Sequence, residues 1–378
     1  MSKQMEILSY LRSCQDEMVE VLGKFTDTDS PSTDKPYMDR FAELVADEWK
    51  SLGATVTILP QEKYGNHVKV EWGSGSENIL ALCHMDTVWD AGETKKRPFR
   101  VQGGKAYGPG AYDMKAGIVQ GLFAVRALVN MGLTPDKRIV VLHNSDEEIG
   151  SPSSRPIIEE EAKKAAAVLV LEPSARGGAL KTWRKGVGDF TVSIKGRASH
   201  AGADYEKGIS AITEAAHQIL RLHTLTDLEE GTTVNVGVIK AGTRSNVVAE
   251  EAVLDVDIRV KTMDAAQRIV PKIQALKPID PRISLSIEGG LNRPPMERSD
   301  KNLHLFKLAQ AVGSEMGMEL VESGTGGGSD GNFTSALGIP TLDGLGAIGD
   351  DGHAVTEYVL VSGLPDRAAV LAGLMLRI

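Results

Sequence analysis

The sequence has very little cysteine, with only Cys14 and Cys83 in 378 residues. The two lie far apart in different sequence contexts, so no disulfide framework is indicated and a reducing compartment is expected. The chain also lacks an apolar run long enough to span a bilayer. Residues 1–22 mix charged and apolar residues and lack the apolar segment of a signal peptide. We therefore expect a cytoplasmic protein with no membrane partner.

Positive charge is also scarce, since 42 Lys and Arg residues face 51 Asp and Glu residues, for a formal net charge of −9. Nucleic acids and anionic membranes reward clustered Lys and Arg, so neither is expected as the main partner. A small anionic substrate remains compatible, because a few local cations suffice to bind it. The glycine-rich segment 108–117 (GPGAYDMKAG) lacks the Lys-Ser/Thr ending of a phosphate-binding P-loop.

The length exceeds what one hydrophobic core usually holds, so two domains are expected. The pattern at 6–24 predicts one amphipathic helix. Short apolar runs without alternation predict strands buried on both faces of an α/β sheet; they are 78–83, 138–142 and 167–171. Alternating runs predict an antiparallel sheet with one solvated face; they are 189–195, 233–239 and 254–260.

The change in pattern predicts an inserted domain. An α+β domain at 184–292 would interrupt a first domain that is built from residues 1–183 and 293–378. The first domain would contain the α/β sheet, and its last part would contribute helices, a short strand and a glycine-rich loop.

Chemically active residues follow each predicted buried strand. His84 and Asp86 follow the first, Glu147 and Glu148 the second, and Glu172 the third. Ligands bind outside the carboxyl ends of strands in open α/β sheets, so these side chains should meet at one edge. Each alone has an ordinary interpretation, such as a packed histidine or an acid at a helix start.

Together, and with Asp113 at the entry to a helix, these residues would place several like charges in one place, which is costly without a cation. Imidazole and carboxylate ligands without a thiolate suit Zn²⁺, with Mn²⁺ or Co²⁺ as alternatives.

Six motifs resemble those of the M20 metallopeptidases, and within them those of the glutamate carboxypeptidases. They are HMDTV (84–88), GPGAYDMKAG (108–117), DEEIGS (146–151), LEPS (171–174), GRASHAG (196–202) and GGGSDG (326–331), the last with a histidine downstream. The resemblance runs in order through nearly the whole chain. It implies a zinc-exopeptidase-like catalytic domain with a central, mostly parallel sheet, and an inserted, smaller α+β dimerisation (lid) domain with an antiparallel sheet.

The resemblance also implies a catalytic centre with two Zn²⁺ ions per subunit, Co²⁺ or Mn²⁺ being possible. Asp113 would bridge the ions, Glu147 would act as general base, and Asp86 would orient the histidine ligand. The implied metal ligands are His84, Asp113, Glu148, Glu172 and His353. Without the resemblance, His353 would be interpreted as an exposed loop histidine as readily as a ligand.

Substrate-binding residues are implied in the same way. His200 would reach the partner subunit's active site and stabilise the oxyanion, Arg259 would clamp the terminal carboxylate, and Asn246 would lie near the oxyanion. The loop around Gly327 would lie along the cleft. On residue patterns alone, His200 is an exposed loop residue and Arg259 belongs to a solvated strand face.

The chain departs from the glutamate-specific pattern just before the predicted inserted domain. Those relatives have a lysine and a serine where this chain has Ala179 and Lys181, so the lysine is displaced by two residues and only Arg293 is kept. We expect Lys181 and Arg293 to contact a substrate side-chain carboxylate, but strict glutamate specificity does not follow.

These features predict a homodimeric di-zinc carboxypeptidase or amidohydrolase. It would release a C-terminal amino acid, with Glu or Asp the expected type, from a small peptide or N-acyl amino acid. An N-acyl-amino-acid deacylase or a dipeptidase of the same family is the alternative. Two further alternatives are a non-catalytic ligand-binding module on the same scaffold and a protein that uses metal only for stability.

Overall fold

The computed structural model describes residues 2–378, which form two compact units. Unit 1 comprises the chain up to Trp183 together with Arg298–Thr325 and Ser329–Ile378. Unit 2 comprises Arg184–Glu297 and Gly326–Gly328. The assignment of residues 184–292 as a dimerisation domain between two catalytic segments stays a prediction.

The first segment of unit 1 alternates helices and strands. In order they are α1 (Lys3–Ser13), α2 (Gln15–Thr26), α3 (Lys35–Ser51), β1 (Thr55–Leu59), β2 (His67–Trp72), β3 (Asn78–His84), α4 (Glu93–Lys96), β4 (Arg100–Gln102), β5 (Lys105–Tyr107), α5 (Ala116–Asn130), β6 (Arg138–Asn144), α6 (Arg155–Ala162), β7 (Ala165–Val170) and β8 (Leu180–Arg184). The helix predicted over 6–24 is two helices, α1 and α2, which meet at Cys14.

Unit 2 is built mainly from strands. They and their helices are β9 (Gly186–Lys195), β10 (Ser199–His200), α7 (Ala211–His223), β11 (Thr233–Ala241), β12 (Val247–Val248), β13 (Glu251–Val260), α8 (Met263–Gln274) and β14 (Ser284–Arg293). The four long strands form an antiparallel sheet in the order β11-β13-β9-β14. Burial alternates along β9 and β13, so one face of this sheet is packed on apolar residues.

The last part of the chain returns to unit 1. Its elements are α9 (Asp300–Glu315), β15 (Glu322–Thr325), α10 (Gly331–Ala336), β16 (Thr341–Leu342), β17 (Gly349–Asp350), β18 (Tyr358–Leu360) and α11 (Gly363–Met375). Strands β17 and β18 join β5 and β4 in a small sheet.

The main sheet of unit 1 has the order β1-β2-β6-β3-β7-β16. Strands β6, β3, β7 and β16 are parallel, whereas β2 is antiparallel to both of its neighbours, β6 and the edge strand β1. Beyond their first residues, β3, β6 and β7 are almost entirely buried because helices cover both faces of a parallel sheet. The predicted fold class, an α/β domain with a mostly parallel sheet plus an antiparallel α+β unit, is confirmed.

Within residues 2–378, no helix has the length and apolar character needed to cross a membrane.

Candidate metal centre and substrate-binding residues

Three parallel strands of unit 1 deliver the predicted ligands to one edge of the sheet. His84 is the last residue of β3, Glu147 and Glu148 lie in a short 3₁₀ turn after β6, and Glu172 lies two residues after β7. Asp113 belongs to the irregular turn Ala111–Lys115 that precedes α5. Ligand sites at the carboxyl ends of parallel strands are typical of α/β folds.

The first ligand group consists of His84, Asp113 and Glu172, whose donor atoms lie within 4.8 Å of one another. The Nε2 atom of His84 is 3.1 Å from Oδ1 of Asp113 and 3.4 Å from Oε1 of Glu172. The three side chains are largely shielded, since those of His84, Glu172 and Asp113 are 2%, 10% and 19% exposed. The group therefore presents one nitrogen and two carboxylates to a common point.

The second ligand group shares Asp113 and adds Glu148 and His353. The Nε2 atom of His353 lies 3.1 Å from Oε1 of Glu148 and 3.4 Å from Oδ2 of Asp113. Asp113 thus directs one oxygen towards each histidine. The structure brings all five predicted ligands together, although His353 lies 181 residues or more from the other four in the sequence.

Asp86 holds the candidate ligands in place through hydrogen bonds. Its buried carboxylate accepts hydrogen bonds from the backbone N–H groups of Glu147 (3.2 Å) and Glu148 (3.0 Å) and from the Ser32 hydroxyl (2.7 Å). The Nδ1 atom of His84 is 2.9 Å from the Asp86 carbonyl oxygen and 3.5 Å from its carboxylate. One residue therefore holds both the histidine ring and the turn that bears the two glutamates.

The crowding of charges alters the acid–base properties of the centre. Burial raises the pKa of Glu148 to about 7, although its hydrogen bond with His353 opposes this rise. Hydrogen bonds with Asp113 and Glu148 raise the pKa of His353 to about 11. Burial alone would lower the pKa of His84, yet hydrogen bonds with Asp113, Asp86 and Glu172 raise it well above its usual value. These carboxylates therefore favour positive charge at both histidines, as they would favour a bound cation.

The donor set fits a pair of divalent cations. Each group offers one imidazole and two carboxylates, with no thiolate, and three protein ligands leave a coordination position open for water or substrate. Nitrogen and oxygen donors of this kind suit Zn²⁺ and also Mn²⁺ or Co²⁺.

Glu147 lies beside this centre but belongs to neither ligand group of the described residues. It lines the same small cavity as His84, Glu172 and Asp330. A carboxylate that lies beside the ligands without being one can accept and release a proton, which is what a general base needs.

His200 of unit 2 is exposed on the short strand β10, which pairs with β12. Its Nδ1 atom accepts hydrogen bonds from the backbone N–H groups of Gly202 and Ala203, both at 3.1 Å. The proton of the neutral ring is therefore assigned to Nε2, which makes that atom a donor. Asn246 is exposed nearby, and its carbonyl oxygen accepts from Ala201 N–H.

Arg259 lies on β13 of unit 2, where its guanidinium pairs with Asp257 of the same strand. Nε is 3.0 Å from both carboxylate oxygens and Nη2 is 2.8 Å from one of them, while Nη1 is 3.4 Å from the Gly326 carbonyl. A substrate carboxylate would have to share or replace the Asp257 contact.

The glycine-rich loop of unit 2 is held by a buried arginine that sequence reasoning missed. Arg184 donates from Nη1 to the carbonyl oxygens of Gly328 (2.9 Å) and Gly327 (3.4 Å). Arg293 is also buried, and a Cβ atom on Gly328 would lie 2.8 Å from its Cδ. Two buried cations therefore flank this loop within unit 2.

Lys181 lies in unit 1 on β8, and its main chain pairs with Asp343. It is 8% exposed. Its side chain packs on Gly344, where a Cβ atom would lie 3.0 Å from the Lys181 Cγ.

Glu357 is a further residue of the centre that sequence reasoning missed. Its buried carboxylate accepts hydrogen bonds from Gly110, Tyr112 and Asp113 N–H and from the Trp89 indole. Only its position four residues after His353 could have drawn attention to it, and this spacing alone indicates no specific role.

Comparisons with known proteins agree with this geometry. A family model described as peptidase family M20/M25/M40 matches residues 80–377. Carboxypeptidase G2 of Pseudomonas sp. (strain RS-16) is 33% identical over 374 residues, covering 96% of this chain and 89% of that protein. A succinyl-diaminopimelate desuccinylase of Alkalilimnicola ehrlichii is 27% identical over 360 residues, covering 89% and 93%.

Among solved structures, a Bacillus subtilis protein described as a dinuclear metal binding peptidase from the M20 family superposes with a TM-score of 0.73. It is 14% identical and the match covers 97% of this chain and 98% of that one. At this identity, the similarity shows a shared fold.

Proposed function

The chain belongs to peptidase family M20/M25/M40 and is a metallopeptidase of that family, and from this premise we propose that it is a di-metal carboxypeptidase or amidohydrolase. Its substrate is a small peptide or N-acyl amino acid from which it releases the C-terminal amino acid. The observation that carries the proposal is the pair of three-residue ligand groups that share Asp113 and lie beside Glu147.

Two divalent cations, Zn²⁺ in the first instance, would be held by the ligand groups His84–Asp113–Glu172 and Asp113–Glu148–His353. When bound, they would lower the pKa of a water molecule and polarise the scissile carbonyl. Asp86 fixes the ring of His84 and the backbone of the Glu147–Glu148 turn, so the ligands are preorganised.

Glu147 acts as the general base and acid. Its carboxylate takes a proton from the attacking water and later gives that proton to the nitrogen of the leaving amine, which converts a poor leaving group into a neutral amine. The backbone N–H of Glu147 is tied to Asp86, so the turn that carries this carboxylate is held in place.

Residues of unit 2, together with Lys181 of unit 1, would bind the substrate. His200, through its Nε2–H, would stabilise the oxyanion in the partner subunit's active site, with Asn246 near that oxygen. Arg259 would clamp the terminal carboxylate, which its planar guanidinium suits. Arg293 and Lys181 would contact a side-chain carboxylate, with Gly327 in the loop along the cleft. Glu or Asp is therefore the favoured leaving amino acid.

The desuccinylase relative supports the deacylase alternative, because its name describes removal of an acyl group from an amine. A dipeptidase is distinguished by its need for a free amino group on the substrate. The deacylase and dipeptidase alternatives would use the same metal centre. They differ only in the substrate groups that the scissile amide bond joins.

The decisive experiment is amino-acid release from N-acyl amino acids, free dipeptides and blocked peptides by Zn²⁺-loaded and chelator-treated enzyme. We expect metal-dependent release of Glu or Asp from blocked substrates. In Glu147→Gln, kcat should fall by about 10²–10⁴ while both metals stay bound. The control is Glu160→Gln, an exposed carboxylate on α6 that pairs only with Lys164 in the ion pairs of the described residues.

A strict requirement for a free amine would replace the carboxypeptidase proposal with the dipeptidase alternative. Full activity in Glu147→Gln would show that Glu147 is not the general base. No turnover of any substrate with any divalent metal would favour the ligand-binding module.

A further inference from the structure

Glu357 links its own loop to two other segments of unit 1, and its side chain is almost completely buried (1% exposed). Oε1 accepts hydrogen bonds from the backbone N–H groups of Tyr112 (2.9 Å) and Asp113 (3.2 Å). Oε2 accepts from Gly110 N–H (3.1 Å) and from Trp89 Nε1–H (3.2 Å). Four donors therefore converge on one carboxylate. A glutamine amide could not accept all four hydrogen bonds, because only its oxygen is an acceptor.

The three segments all lead to metal ligands. Trp89 follows the end of β3, where His84 lies, and the turn at 110–113 ends in Asp113. Glu357 itself closes the loop between β17 and β18 that contains His353. Hydrogen bonds to charged acceptors are the stronger ones, so this carboxylate is a substantial link between the segments.

The loop of His353 needs such a link more than the other ligands do. His84 ends a buried strand and Glu172 follows another, whereas the His353 side chain is 53% exposed and its residue has a φ of +65°. Besides the pairing of β17 with β18, this loop is held by Arg97 Nη1 on the Val355 carbonyl at 3.3 Å.

We propose that Glu357 is a positioning residue that holds Asp113 and His353 together and so sets the affinity of the Asp113–Glu148–His353 metal position. The His84–Asp113–Glu172 position depends on it less, because His84 ends the buried strand β3 and Glu172 follows the buried strand β7. This inference rests on the proposed di-metal function.

The test is a titration of metal-free protein with Co²⁺, read by visible absorption and by competition with a chelator. Glu357→Gln keeps the size of the side chain but turns an –NH₂ group towards backbone N–H donors. Wild type should bind two Co²⁺ ions. The variant should bind one ion as wild type does and the other at least about 10-fold less tightly, within the 10–100-fold loss typical of residues that orient ligands.

Glu214→Gln is the matched control, since Glu214 is another buried carboxylate (2% exposed) that accepts from backbone N–H groups, those of Ile279 and Asp280, but in unit 2. This control should bind both ions as wild type does, whatever its melting temperature.

The possible outcomes separate the two proposals. If wild type fails to bind two ions, the di-metal function is wrong and this inference falls with it. If wild type binds two ions and Glu357→Gln binds both equally well, only the role of Glu357 is overturned. An equal loss in Glu214→Gln would likewise overturn it, because the effect would then be a general loss of stability.

Discussion

At the scale of single residues, two buried histidines have different surroundings. His84 belongs to the candidate metal centre, whereas His143 lies away from it and is held in a neutral form. His143 is fully buried on β6, and its Nε2 atom accepts a hydrogen bond from the Trp49 indole at 2.8 Å. Burial lowers the pKa of His143 to about 3. A protonated ring could not accept from Trp49, so the folded protein resists protonation at this position.

The pH dependence follows from the difference between this pKa and the value of about 6.5 in an unfolded chain. The unfolded chain binds the proton first, so stability from this group is complete above about pH 6.5 and is lost as pH falls towards 3. In His143→Gln, which keeps an acceptor for Trp49, the fall in unfolding free energy between pH 6 and 4 should be smaller by roughly 1 kcal/mol per pH unit.

The measurement is urea denaturation of metal-free protein at several pH values. His223→Gln, a change of the same kind at an exposed position on α7, should leave the wild-type slope unchanged. Parallel pH profiles for His143→Gln and wild type would contradict the assignment of His143 as the acid-sensitive group.

Residue types and their order predict which side chains lie together at the candidate centre, because each proposed ligand but His353 and Asp113 ends or follows a recognisable buried strand. Glu357 could not be predicted in this way. Its partners are backbone N–H groups of residues 110–113, and the identity of those residues carries no information about a distant carboxylate. Arg184 is similar, since its acceptors are carbonyl oxygens of a loop more than 140 residues away.

At the scale of elements, the strands that were predicted from continuous or alternating apolar runs are all present. Some of the elements that were missed have an interrupted pattern. Strand β14 contains Gly289 and Gly290, which interrupt its alternation, and the break between α1 and α2 occurs at Cys14, without a Pro or Gly to mark it. Strand β2 was also missed, although its apolar residues Val68, Val70 and Trp72 alternate with charged ones.

The close approach of α5 to the end of β7 gives a prediction at this scale. A Cβ atom on Gly117 would lie 2.2 Å from the Leu171 carbonyl oxygen, which belongs to the backbone and cannot move aside. Gly117→Ala should therefore lower the free energy of unfolding by about 1–3 kcal/mol. Because Leu171 adjoins Glu172, metal affinity should fall as well.

Gly121 lies one turn later on the same helix and supplies the control. Its Cβ atom would meet only the Leu171 Cδ1 methyl group at 3.0 Å, which is the movable end of a side chain. The gain in helix propensity of about 1 kcal/mol offsets this contact, so Gly121→Ala should be near neutral in chemical denaturation. Similar effects of the two substitutions would show that the backbone contact of Gly117 is unimportant.

At the scale of the whole molecule, unit 2 leaves an edge of its sheet unpaired. In the order β11-β13-β9-β14, β11 has a partner on one side only. Apolar side chains of β11 are exposed, with Ile239 50% and Val238 45% accessible. An exposed apolar edge strand is a template for pairing with another chain, which favours a second copy of unit 2 as its partner.

We therefore expect sedimentation equilibrium to give the mass of a dimer. Ile239→Lys should shift the protein towards monomer, because a charged side chain on an edge strand opposes pairing. Its activity should fall in parallel, since His200 would no longer reach the partner's centre. Val321→Lys, at a similarly exposed position in unit 1 (47% accessible), should stay dimeric and active. A monomeric wild type with full activity would contradict the proposed role of His200.

Unit 1 is formed from segments of the chain that precede and follow unit 2, and this order affects its synthesis on the ribosome. Unit 2 lies almost wholly within Arg184–Glu297, so a nascent chain already contains nearly all of it while His353 and α11 are still untranslated. At about 5–20 residues per second, His353 follows Glu297 by several seconds. Until then the growing polypeptide holds only four of the five proposed ligands, so we expect the Asp113–Glu148–His353 group to become complete only late in synthesis.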